Sequence, residues 1–179
     1  IAEKLQEILR KMKGNISINE KLERKILSYK LSDKNVEINE EKINQRRKDE
    51  GIQDFIPFFV EESGNERKIV ISKKIMDAPD SQFLFYMTYF QVYFSLNPYF
   101  HTHPCHLIDG ICSLISQEIT YRTSLAVLPY FAYETAMANL MYLYDKSIID
   151  MVFEDNLDPI EFRDKVSNIF KGIHPSIAD

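Results

Sequence analysis

Tryptophan is absent from this chain, and glycine and cysteine are scarce, at five and two residues. Five glycines with seven prolines are too few for a collagen-like or low-complexity chain. They also leave no glycine-rich loop to cradle a phosphate, which excludes the common nucleotide-binding signatures. No apolar run reaches membrane-spanning length, because Thr88, Gln91 and Ser95 interrupt the best candidate. Cys105 and Cys112 fall two turns apart on one expected helix. That is roughly 10 Å along its axis, beyond the reach of a disulfide. Two thiols point to a reducing compartment, and the cytoplasm is the expected location. The first residue is Ile1 rather than Met, so a signal or anchor ahead of it stays open.

Positive charge is in short supply over most of the chain. Residues 51–179 hold 9 Lys/Arg against 17 Asp/Glu, a net −8, whereas residues 1–50 hold 13 against 10, a net +3. The acidic part lacks the clustered cations that neutralise phosphates, so no nucleic-acid partner is expected. The one basic run, Gln45 to Lys48, reads as a solvated helix face. The charge split divides the chain into a charged helical arm, 1–50, and a main globular domain, 51–179.

What is abundant is apolar and aromatic: 45% hydrophobic residues, with twelve Phe and ten Tyr, are ample for a core. In the arm, Leu5, Ile8, Leu9 and Met12 form one stripe of a helix that Gly14 ends. Ser17 to Glu20 matches a capping box that opens a second helix, with Leu22, Ile26 and Leu27 inward. Residues 32–50 read as a short strand or loop and then a helix to about Glu50, anchored by Val36, Ile38 and Ile43. The period changes at Gly51. Asp54–Val60 and Arg67–Ser72 read as two strands of a hairpin around a turn at 61–66. Pro57 makes the first strand an edge, since it cannot donate to a ladder. A lone hairpin is marginal, so it must pack on helices or gain a strand from upstream.

The chain is organised around Ser81 to Tyr121. Asp80 is the expected N-cap of an aromatic helix at about 81–96, apolar almost all round and therefore central. Asn97 and Pro98 end it, a histidine-rich turn follows, and Pro104 begins a second helix, 104–120. Leu107, Ile108, Ile111, Leu114, Ile115 and Ile119 form its inward face, with His106, Asp109, Gly110 and Ser113 on the other side. Phe83, Phe90 and Leu107 are expected to be almost fully buried. A helix from Pro129 to about Tyr144, a helical turn at 148–153, and a last helix follow. That last helix starts at Asp158, Pro159 and Glu161 and runs to Lys171, with Gly172 as its stop. The fold class is α+β and predominantly helical: the aromatic helix packed on the second helix, a small hairpin or sheet, and a helical N-terminal arm.

Candidate chemistry gathers at the histidine turn. His101, His103 and His106 with Asp109 have spacings seen in metal sites, His106 and Asp109 lying one helical turn apart. A zinc ion there would need three such ligands and a position for water. The plainer reading makes His101 and His103 turn residues and His106 a polar residue at a helix start.

The order of parts from Phe55 to about Asp155 resembles a zinc metallopeptidase of the Glu-ligand zincin type. Lys68 to Ser72 resembles its edge strand, Phe83 to Phe94 stands where its His-Glu-x-x-His helix would be, and Leu107 to Ser116 resembles the helix bearing the third ligand. In this chain the motif helix contains neither His nor Glu, so two ligands and the general base are missing, and Asp109 stands where Glu would be. The resemblance therefore implies a pseudo-peptidase: a non-catalytic binding or regulatory module with a protein partner and no cofactor. Two other readings stand beside it. One is a metal-dependent hydrolase using His101, His103, His106 and Asp109, and the other an interaction protein acting through its N-terminal arm. The readings part over Asp109. It faces Tyr86, Tyr89 or Tyr93 in a dry vestigial cleft, or the histidines around a metal, or solvent.

Overall fold

In a computed structural model of the protein, Glu3 and residues 20–102, 106–119 and 146–173 are described. The charged stretch before Gly51 supplies α1 (Glu20–Leu27), β1 (Val36–Ile38) and α2 (Glu40–Asp49). Acidic residues open α1 and basic ones close it, complementing the helix dipole. Leu22 and Ile26, four apart, are its buried pair. Asn39 caps α2, its Oδ1 accepting from the Lys42 amide at 3.0 Å. Val36 and Ile43 are buried anchors, as expected. Ile38 is not: at the end of a three-residue edge strand it is 47% exposed.

β2 (Phe58–Ser63) and β3 (Glu66–Ile71) form the antiparallel hairpin. Its turn is tighter than 61–66, since Ser63 pairs with Glu66 across Gly64 and Asn65. Gly64 has φ +63°, the left-handed conformation that tight hairpins require and that suits glycine. The strand order is β1-β3-β2, which makes β2 an edge, and the hairpin does gain a strand from upstream. β1 runs parallel to β3, with Val36 opposite Ile69 and Ile38 opposite Ile71. Ile69, Val70 and Ile71 are completely buried, so the central strand is covered on both faces. Successive side chains alternate faces. Phe58 packs on aromatic rings of the helix at 80–95, while Phe59 lies under the Arg46 guanidinium of α2, 5.4 Å from the ring centre. The sheet is thus held between those two helices.

The charge boundary at residue 50 is one of composition and not of packing. Leu22, Ile26, Leu31 and Val36 belong to the same hydrophobic core as Ile69, Ile71 and the aromatic helix. The thin apolar stripes of residues 20–49 find their covering surface within this chain. The helix expected over 1–13 lies outside the described residues.

A four-residue helix that the sequence pattern did not suggest, α3 (Lys73–Met76), follows the sheet. The Ser72 side chain caps it, and Glu40 Oε2 accepts from both Ser72 Oγ (2.8 Å) and the Lys73 amide (2.9 Å). The aromatic helix is α4 (Asp80–Ser95). Asp80 is its first residue and not its N-cap. Pro79, extended at φ −52° and ψ 149°, takes the cap position with no side-chain bond, and Asp80 meets the dipole from inside the first turn. Ten consecutive residues, Phe83 to Val92, are buried. One side carries Tyr86, Tyr89 and Phe90 against the sheet. On another, Gln91 Nε2 donates to the Tyr29 carbonyl at 3.0 Å, tying down the chain that leaves α1.

α5 (His106–Ile119) packs along α4. Its expected inward residues Ile108, Ile111, Leu114, Ile115 and Ile119 are buried, but so are Gly110 and Ser113, placed by the sequence on a polar side. Hydroxyls and an amide satisfied within the helix make that burial tolerable: Ser116 Oγ donates to the Cys112 carbonyl and Gln117 Nε2 to Ser113 Oγ. Phe83 and Phe90 are fully buried; the Leu107 side chain and the helix expected at 129–144 lie outside the described residues. α6 (Lys146–Met151) and α7 (Pro159–Ile173) complete a predominantly helical α+β fold. Asp158 Oδ1 caps α7, accepting from the amides of Ile160 (2.9 Å) and Glu161 (3.3 Å), and the helix runs through Gly172. Among the described residues no helix is long and apolar enough to cross a membrane.

Candidate functional site

Three regions are candidates for a functional site. The first is the contact between α4 and the hairpin. Lys68 to Ile71, likened above to a peptidase edge strand, belong to the central strand β3, and the edge strand β2 is the one that brings Phe58 to α4. Phe58 fills the contact, with ring centres 6.1 Å from Tyr86, 5.3 Å from Tyr89 and 5.0 Å from Phe90. Edge-on and tilted rings at these distances are favourable packing. Burial pushes the Tyr86 hydroxyl up to about 12, so it stays a neutral phenol at physiological pH. α4 also buries two polar side chains, Thr88 and Gln91. Thr88 Oγ1 and Gln91 Oε1 are buried without a hydrogen-bond partner, two unsatisfied oxygens in an otherwise apolar core.

The second is the histidine turn. α4 stops where Leu96 becomes extended, and a single turn of 3-10 helix, Pro98–Thr102, carries His101 back against it. Asn97 organises this corner. Its amide donates to the Val152 carbonyl, its Nδ2 to the carbonyls of Glu154 (2.6 Å) and Asp155 (3.3 Å), and its Oδ1 accepts from the Tyr99 amide. The His101 ring stacks on Tyr93, centres 4.8 Å apart, and Nε2 donates to the Tyr93 carbonyl at 2.7 Å. A carbonyl only accepts, so that bond places a proton on Nε2. His103 and Cys105 lie outside the described residues. His106 and Asp109 are helical residues of α5 whose side chains are also outside them. Among the described residues no group of three or more His, Cys, Asp or Glu is arranged to hold a metal ion. Cys112 is a buried thiol.

The third, with no counterpart in the sequence pattern, is an open groove of about 430 Å³ between α1 and the α6–α7 turn. Its walls include Lys21, Lys25, Asp150, Phe153 and Glu154. Lys25 Nζ donates to the Phe153 carbonyl and lies 4.0 Å from Asp155 Oδ1. Burial, and then the neighbouring Glu154 carboxylate, hold the Asp150 carboxyl above its usual range. Residues 125 or more positions apart meet here, and none belongs to a recognisable motif.

The basic run of α2 is engaged within the chain. Arg46 pairs with Glu50 while covering Phe59, and Arg47 donates to the Gln53 carbonyl. Across the sheet, Lys42 bridges Glu37 (3.2 Å) and Glu61 (2.9 Å). These are solvated surface pairs, as on an exposed helix face. No family model, curated protein or solved structure matches the chain.

Proposed function

We propose that this chain is a non-catalytic, metallopeptidase-like binding or regulatory module that acts on a protein partner. One observation carries the reading. The hairpin, α4 and α5 follow one another in the order of the peptidase scaffold, yet the helix at the motif position has no His or Glu and meets the hairpin through packed rings. A carboxylate-activated water needs a polar, charged lining, and the described contact is made instead by the rings of Phe58, Tyr86, Tyr89 and Phe90. The buried Cys112 thiol suits the cytoplasm as the place of action. Incubation with casein and with a peptide library, with and without added zinc, tests the reading. No cleavage is expected under either condition. Cleavage that disappears on chelation overturns it.

The His101 geometry favours a second reading, a metal-dependent hydrolase built on His101, His103, His106 and Asp109. A ring nitrogen that donates to a backbone carbonyl is how ligating histidines are commonly oriented, and His101 has that bond to Tyr93. Protein purified without a histidine tag would then hold stoichiometric zinc that disappears in both His101→Ala and His103→Ala. Absence of bound zinc after incubation with excess metal rejects it.

A further inference from the structure

We draw no further inference here: the strongest candidate, the groove between α1 and the α6–α7 turn, is a solvated acidic cluster around a lysine already bonded to the Phe153 carbonyl, and no second feature among the described residues shows what would fill it.

Discussion

Replacing Asn97 with alanine tests how much one polar side chain contributes to holding the two halves of the core together. Its amide group reaches the carbonyls of Glu154 and Asp155, and its Oδ1 receives the Tyr99 amide at 2.9 Å. Alanine removes all three bonds while the main-chain bond to the Val152 carbonyl stays. A neutral hydrogen bond contributes about 0.5–1.5 kcal/mol net. The freed carbonyls lie near the surface and can be rehydrated, and the 3.3 Å bond is weak, so the low end of that range applies to each. The expected loss is therefore about 1–2 kcal/mol. In a domain of this size each kcal/mol lowers the melting temperature by about 2–4 °C. Thermal unfolding followed by circular dichroism should show a fall of about 2–8 °C, with urea unfolding giving an unchanged slope. Asn97→Asp sharpens the test, because it keeps the acceptor for Tyr99 but turns a carboxylate toward two carbonyl oxygens. The folded state then raises that carboxyl's pKa. The aspartate variant should match the alanine variant near neutral pH or fall below it, and overtake it as pH drops and the carboxyl is protonated. Wild-type melting temperatures for both variants would refute the account of this corner.

Phe58→Ala should cost about 2–4 kcal/mol, below the full cost of a core Phe because Phe58 is only partly buried against Tyr86, Tyr89 and Phe90; chemical denaturation reads the loss, and a change under 1 kcal/mol would show that the rings do not support one another. Gly64→Ala should destabilise the fold although nothing lies within 4 Å of the added carbon, since φ +63° is strained for any L side chain; an unchanged midpoint of unfolding would contradict that. Asp150→Asn should raise stability near pH 7 and lose that gain in acid. Burial raises the folded-state pKa of Asp150, so its charged form is disfavoured in the fold once pH exceeds the unfolded value. Equal stability of variant and wild type at both pH values would remove the burial argument.

Where a structural decision was made by neighbouring residues, the sequence was readable. Asp158 and Pro159 announced α7, and eight apolar or aromatic residues among the ten from Phe83 to Val92 announced a central α4. Pro57 pointed to an edge strand, and Arg67 to Ser72 to its partner, although the edge strand begins only after Pro57, at Phe58–Ser63, and the partner is Glu66–Ile71. Decisions made by distant residues were not. The parallel pairing of β1 with β3 joins positions 33 apart, and nothing in Val36–Ile38 specifies it. Gly110 and Ser113 fell on the side away from the expected inward face because a helical wheel knows only its own helix; packing from other elements buries them. The groove brings α1 to residues 150–156, so no stretch of sequence contains it. The candidate histidines were legible as a cluster, but the stacking of His101 on Tyr93 was not, because it depends on how the turn folds back onto α4.

The burial of α4 on every side has a consequence for how the chain tolerates change. An amphipathic helix such as α1 forgives substitution at most positions and resists it only where its stripe recurs, every three or four residues. From Phe83 to Val92 there is no forgiving position to alternate with. A map of tolerated substitutions would therefore show an unbroken ten-residue block with no helical rhythm, and it would look more like a buried strand than a helix. Among the described residues, variation compatible with folding is pushed outward, to surfaces such as α2, the β2 edge and the exposed side of α7.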